Sequence, residues 1–126
     1  MDPYNGSIAY VPDLGMDVIR QFRYNKAEGT LTPAGVLKSG PEGRNALGPR
    51  YIEFHPTLPV CYVVNELSSE VSVFRFDEAA AQRIANTQGD DLSNAVPTLR
   101  LVQTLSTIPK GFDGEFNTCG RIAVHP

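Results

Sequence analysis

Two stretches of this chain decide its fold, because they are variants of one pattern: residues 10–25 read YVPDLGMDVIRQFRYN and residues 62–77 read YVVNELSSEVSVFRFD. They align without a gap at an offset of 52 residues, and the identical pairs are Tyr10 with Tyr62, Val11 with Val63, Phe22 with Phe74 and Arg23 with Arg75. A second repeat flanks them, since IEFHP at 52–56 returns as IAVHP at 122–126. A period of about 50 residues that is built from short strands indicates the blades of a β-propeller.

Turn residues divide the chain into short segments rich in aromatic and β-branched residues, which is the composition that strands prefer. The predicted strands are 7–12, 16–24, 30–37, 50–54, 60–65, 71–76, 99–105 and 122–124. The sequence therefore predicts an all-β fold of about two to two-and-a-half blades, divided at 1–47, 48–118 and 119–126. A closed propeller needs at least four blades or so, and we therefore expect this chain to be a piece of a larger protein.

The second repeat is longer than the first. Asn25 and His55 are 30 positions apart, whereas Asp77 and His125 are 48 apart, which leaves an insertion of 18 residues. Asp77 suits a helix N-cap, Glu78 suits a first turn, and the alanines that follow favour helix. We predict a short helix near 78–88 inside an insertion at 78–97, carried on a surface loop where added length costs little.

The bulk composition excludes several classes of protein. The chain has 126 residues, 41% hydrophobic and 20% charged, with a net charge of −3. It lacks the basic patch of a nucleic-acid binder and any apolar run that could span a membrane, and its first residues do not have the pattern expected of a signal peptide. The two cysteines are too few for a disulfide framework or a zinc site, and we predict that Cys61 is a small buried hydrophobic residue. We predict a cytoplasmic protein with no nucleic-acid or membrane partner.

Two residues stand out as candidates for chemistry. Arg50 follows a glycine loop at the start of a predicted strand, and Glu66 ends the next strand. A hairpin that turns at His55 would bring the two side chains to one end of a blade, where a guanidinium and a carboxylate could act as anion holder and general base. The alternatives are a solvated arginine or a purely structural ion pair.

The remaining candidates are weaker. Asp13 aligns with Asn65 at the end of the corresponding strand, so both could face the propeller channel. His55 and His125 each precede a proline at the same point of the repeat, which favours a turn-capping role over catalysis. No second histidine or cysteine stands at zinc-ligand spacing, and no phosphate loop is present.

Four ordered segments resemble a known family. GPRYIEFHP (48–56), CYVVNELSSEVSVFRFD (61–77), AYVPDLGMDVIRQFRYN (9–25) and residues 101–126 are similar to the lactonase family of seven-bladed propellers. This family includes bacterial 6-phosphogluconolactonases and fungal carboxy-muconate lactonizing enzymes. The resemblance implies a site in the channel that uses no metal or other cofactor.

The resemblance assigns roles to particular residues. It implies Arg50 and Glu66 as catalytic residues, together with a histidine of an earlier blade and an arginine of a later one, both outside this chain. We take Asp13, Tyr51 and Asn65 as candidate substrate-binding residues. The sequence departs from the family at Tyr51, where histidine is usual, and at Arg121 and Ala123, where an acidic residue and a histidine are common.

These features predict part of an enzyme that hydrolyses a sugar-acid lactone such as 6-phosphogluconolactone, of the pentose phosphate pathway type. One alternative is a carboxy-cis,cis-muconate cyclase. Another is a non-catalytic propeller that only binds partners, or a degraded gene product. We expect the isolated chain to have little activity and to self-associate through exposed blade edges.

Overall fold

The computed structural model describes residues 1–112 and 117–126. Its elements are β1 (Ile8–Asp13), β2 (Val18–Asn25), β3 (Thr30–Leu37), β4 (Pro49–Phe54), β5 (Val60–Asn65), β6 (Glu70–Phe76), α1 (Glu78–Asn86) and β7 (Leu99–Ser106). Two antiparallel sheets form, one in the order β1-β2-β3 and one in the order β4-β5-β6-β7. The predicted all-β architecture with one short helix is confirmed.

The repeat in sequence is also a repeat in register. Tyr10 lies opposite Gln21 in the first sheet, and Tyr62 lies opposite Val73 in the second, so the same offset relates both partners. Strands β1 and β2 therefore correspond to β5 and β6, joined by equivalent tight turns. Strand β4 precedes this unit and pairs with β5 alone.

One apolar cluster joins the two sheets. Ile8 and Ile19 of the first sheet and Val63 and Phe74 of the second are essentially fully buried in it. Burying each such side chain contributes about 1.5–3 kcal/mol, so the cluster is what holds the sheets together. The two hairpins thus pack as neighbouring blades.

The insertion at 78–97 contains the predicted short helix and is mostly exposed, but one face of that helix is buried, which the prediction of a surface loop did not include. Asp77 caps α1 by accepting a hydrogen bond from the Ala80 amide, as predicted, but Ala80, Ala81 and Ile84 are buried in the core. These residues are spaced three and four apart and so lie on one face of the helix. That apolar face covers the cluster instead of pointing to solvent.

Polar contacts hold the insertion on β2. Gln21 donates from Nε2 to the Val96 carbonyl at 2.9 Å, and its Oε1 accepts from the Thr98 amide at 3.2 Å. Arg23 donates to the carbonyls of Thr87 and Gly89, each at 2.7 Å. The insertion therefore bridges the two blades.

The prediction of a strand at 122–124 is wrong, since residues 117–126 contain no strand. A strand needs a partner for its backbone amides and carbonyls, and the described residues offer none at this point. No helix in the described ranges is long and apolar enough to cross a membrane.

Candidate active site

Arg50 stands at a bulge in the strand that leads the second sheet. Pro49 lies opposite Asn65 and Tyr51 lies opposite Val64, so Arg50 is an extra residue in β4. A bulge bends a strand and re-aims the side chain at that point. The Arg50 side chain is 54% exposed.

Glu66 is the first residue after β5, and it meets Arg50. Nη1 of Arg50 donates to Oε1 of Glu66 at 2.7 Å, and the Glu66 side chain is only 20% exposed. The predicted proximity of the two side chains at one end of the hairpin is confirmed. Their catalytic role stays a prediction.

Backbone hydrogen bonds connect the segment before Arg50 with the segment that contains Glu66. The Gly48 carbonyl accepts from the Glu66 amide at 2.7 Å, and the Leu47 carbonyl accepts from the Leu67 amide at 3.0 Å. Gly48 has a φ of 70°, and a Cβ added there would lie 2.6 Å from Cγ of Leu67. Only glycine fits this position, which explains the first residue of the Gly-Pro-Arg motif.

Both side chains of the pair retain polar atoms that could bind a ligand. Among the described residues, Oε2 of Glu66 and both Nε and Nη2 of Arg50 have no hydrogen-bond partner. One carboxylate oxygen can therefore take a proton, while the guanidinium can still hold an anion or a polarised carbonyl. An ion pair this exposed contributes at most about 1 kcal/mol to stability, so stability alone is a weak explanation for it.

Tyr51 packs against a residue from the other end of the chain. The Arg121 guanidinium carbon lies 5.2 Å from the centre of the Tyr51 ring, a cation–π contact. Both residues were marked in the sequence as departures from the lactonase pattern. The structure brings the two residues into contact, and Arg121 occupies one face of the ring proposed to bind substrate.

Asn65 lies beneath the site instead of facing it. It is fully buried, and its Nδ2 donates to the Ser39 carbonyl at 3.1 Å and to Oγ of Ser72 at 3.0 Å. These contacts tie β5 to β6 and to the segment after β3. In this structure Asn65 supports the strand that presents Glu66, and its side chain does not reach the open surface.

Asp13 contacts its own hairpin. Its Oδ2 accepts from Nε of Arg20 at 2.8 Å, and its Oδ1 accepts from the Met16 amide at 3.1 Å. The hydrogen bond from Arg20 holds the pKa of the Asp13 carboxyl below its usual range. The structure gives Asp13 no contact with Arg50 or Glu66.

The two histidines differ. Nδ1 of His55 accepts from the amides of Thr57 and Leu58 at 3.1 and 3.0 Å, which confirms its predicted turn-capping role. Nδ1 of His125 lies 2.8 Å from its neighbour's carbonyl oxygen, that of Pro126, and caps no turn. Within the described residues, no three histidine, cysteine or acidic side chains come together as metal ligands.

Cys119 lies near the site and Cys61 lies in the core, and both are poor nucleophiles. Cys61 is buried as predicted, and burial raises the pKa of its thiol to about 12. Cys119 donates from Sγ to the Asn65 carbonyl at 3.2 Å, and partial burial raises its pKa as well. Neither thiol is activated as a nucleophile would be.

Asp17 is a residue at the site that the sequence reasoning missed. It lies in the turn between β1 and β2, and its Oδ1 accepts from the Gly48 amide at 2.8 Å. The available signal was its alignment with Ser69, which occupies the equivalent turn beside Glu66.

Comparison with known proteins identifies the family of the chain. The family described as lactonase, 7-bladed beta-propeller, matches residues 1–126. A 6-phosphogluconolactonase of Yersinia enterocolitica is 34% identical over 125 residues, which cover 99% of this chain and 31% of that protein. A 6-phosphogluconolactonase of Yersinia pestis is 35% identical over 117 residues, or 90% of this chain and 28% of the other. The chain thus spans under a third of the length of the curated relatives it matches.

Solved structures show the same architecture. The periplasmic gluconolactonase of Pseudomonas aeruginosa superposes with a TM-score of 0.60 and 28% identity, covering 90% of this chain and 26% of that one. A protein from Lactobacillus plantarum has a TM-score of 0.58 at 22% identity, covering 82% and 24%, and supports the fold. With two propeller-like sheets and a family match along its whole length, the chain belongs to the lactonase family of seven-bladed β-propellers.

Proposed function

We propose that this chain supplies Arg50 and Glu66 to the active site of an enzyme that hydrolyses a sugar-acid lactone, with 6-phosphogluconolactone as the foremost substrate. The observation that carries the proposal is the 2.7 Å contact between these two side chains at a bulged strand start. The names of the 6-phosphogluconolactonase relatives support the choice of substrate.

The chemistry follows from the two groups. Glu66 takes a proton from a water molecule as that water attacks the lactone carbonyl, and Arg50 stabilises the negative charge that develops on the carbonyl oxygen. When the ring C–O bond breaks, the proton held by Glu66 passes to the departing alkoxide oxygen. One water molecule is consumed, and the product is the open hydroxy acid.

The remaining groups of the site belong to other blades. The family resemblance implies a histidine and a second arginine there, and this second arginine would hold an anionic substituent of the substrate. Arg50 could also hold a carboxylate of the substrate, so carboxy-muconate lactonization is the second outcome considered in the test below. A role in binding without catalysis is the third outcome.

For location, we propose the cytoplasm, where a pentose phosphate pathway enzyme would work. The Pseudomonas structural relative is described as periplasmic, so the two compartments need to be distinguished. Cell fractionation of the full-length protein decides the question, and recovery with periplasmic markers would overturn the cytoplasmic assignment.

The test is Glu66→Gln in a full-length lactonase that carries this chain, assayed with 6-phosphogluconolactone, gluconolactone and a carboxy-muconolactone. The amide cannot take the proton, so we expect kcat to fall by about 10²–10⁴-fold for the preferred lactone. Glu42→Gln, on an exposed loop, is the matched control and keeps full turnover. Unchanged turnover in the Glu66 variant rejects the proposal, and binding without turnover by the unaltered protein favours the scaffold.

A further inference from the structure

In each repeat, the turn after the first strand contains a side chain that hydrogen-bonds to the backbone of a later segment. Asp17 and Ser69 are equivalent positions in the alignment, and both have a left-handed backbone, with φ of 58° and 53°. Each sends its side chain to the backbone of the segment that follows its own sheet. Oδ1 of Asp17 accepts from the Gly48 amide at 2.8 Å, and Oγ of Ser69 donates to the Asn117 carbonyl at 2.6 Å.

Asp17 holds the segment that carries the candidate site. The amide of Gly48 is bound by the first blade through Asp17, while the carbonyl of Gly48 accepts from the Glu66 amide at 2.7 Å. Gly48 is therefore fixed on one side by the neighbouring blade and on the other by the residue that pairs with Arg50. Arg50 follows Gly48 by two positions.

We propose that Asp17 is a positioning residue, which sets the distance between Arg50 and Glu66 from the preceding blade. This inference rests on the proposed function of that pair. Asp17 does not touch the pair itself and acts through the Gly48 peptide.

Two features of Asp17 argue that the contact is more than a turn preference. A left-handed conformation costs an ordinary residue about 1 kcal/mol, and such strain persists where surrounding contacts over-determine it. The second oxygen, Oδ2, is buried and has no hydrogen-bond partner among the described residues. A buried acceptor without a partner is costly, and the gain that offsets it is the bond to the Gly48 amide.

The experiment compares Asp17→Gly with Asp17→Asn in the full-length lactonase. Both residues tolerate a positive φ, but only asparagine retains an oxygen that can accept from the Gly48 amide. We expect the glycine variant to lower kcat by about 10–100-fold, the size of effect that small misplacements of catalytic groups produce. The asparagine variant should remain within about threefold of the unaltered enzyme.

Coupling to Glu66 separates positioning from a merely structural role. If Asp17 acts through the pair, Asp17→Gly added to Glu66→Gln lowers kcat no further. Multiplicative losses, or a glycine variant with unaltered kcat and KM, would overturn the inference while leaving the proposed function intact. Full activity of Glu66→Gln alone would instead reject the proposed function.

A second variant covers the case in which Asp17→Gly does not fold. Asp17→Glu keeps the charge but moves the acceptor by one methylene, so it should lower kcat at least about tenfold in a folded protein. Folding is checked by near-ultraviolet circular dichroism. A folded Asp17→Glu enzyme with unaltered kcat would also contradict the assignment.

Discussion

The two repeats share a backbone register but differ in the polar pairs that they hold at equivalent positions. In the first, Asp13 pairs with Arg20 as an ion pair whose side chains are 26% and 40% exposed. In the second, the aligned residues are Asn65 and Ser72, which are fully buried and joined by a neutral hydrogen bond of 3.0 Å.

Burial explains the difference in chemistry. Asn65 is covered by the segment after β3, whose Ser39 carbonyl accepts its second hydrogen bond. Burying an ion pair costs several kcal/mol per charge, whereas a neutral amide that donates to a carbonyl and a hydroxyl costs less to bury. The repeat thus supplies a common position, and the neighbouring segment decides which residue types can occupy it.

The same comparison isolates Glu66. The first repeat has Leu14 at that position, so nothing in the shared backbone demands a carboxylate there. Glu66 is therefore an addition to the shared pattern, which supports assigning it a chemical role.

The largest effect should come from Gly48, where the second repeat meets the first. In Gly48→Ala the new Cβ would collide with Cγ of Leu67 at 2.6 Å and would also be strained at a φ of 70°. We expect a loss of about 2–4 kcal/mol in the free energy of unfolding, measured by urea denaturation.

Gly43→Ala is the matched control for that change. Its φ is 79°, but no atom lies within 4 Å of the added Cβ, so only the strain of about 1 kcal/mol should appear. Equal losses in the two variants would show that the close approach of Leu67 has no energetic weight.

The next effect tests the buried pair against the exposed one. Asn65→Ala leaves the Ser39 carbonyl and the Ser72 hydroxyl without the amide, and we expect it to cost about 1–3 kcal/mol. Asp13→Ala removes a partly exposed ion pair and an exposed hydrogen bond from the Met16 amide, and it should cost clearly less. Urea denaturation of both variants measures the contrast, and a larger loss for Asp13 would reverse our account of the two repeats.

Much of the fold was predictable because it depends on local patterns. The strands Thr30–Leu37 and Val60–Asn65 were predicted to the residue, and five others agree within one or two residues, whereas the strand predicted at 122–124 is absent. The meeting of Arg50 with Glu66 followed from the geometry of one hairpin, since strands of known length joined by a turn bring their outer ends together.

What could not be predicted depends on contacts between distant segments. Chain length revealed the insertion, but not that Ala81 and Ile84 would enter the core shared by both sheets. Alignment placed Asn65 with Asp13, but only the packing of Ser39 shows that Asn65 is buried. The contact of Arg121 with Tyr51 and that of Asp17 with Gly48 likewise join residues far apart in sequence, which no local pattern encodes.

The smallest effect concerns pH and again separates the two repeats. Because Arg20 holds the pKa of Asp13 below its usual range, the unfolded chain takes up this proton first as the pH falls. The ion pair therefore stabilises the fold above the ordinary aspartate pKa of about 3.9, and this contribution is lost as the pH drops through the lower folded value.

Asp13→Asn keeps an acceptor for the Met16 amide but cannot titrate. The difference in urea midpoint between this variant and the unaltered chain should be constant from pH 7 to about 5 and should shrink as the pH falls below the ordinary aspartate pKa. Asn65, the equivalent residue, carries no charge, so Asn65→Ala should show a midpoint difference that stays nearly constant over the same range. A difference at Asp13 that does not change with pH would mean that the first repeat holds its pair by hydrogen bonding alone, as the second does.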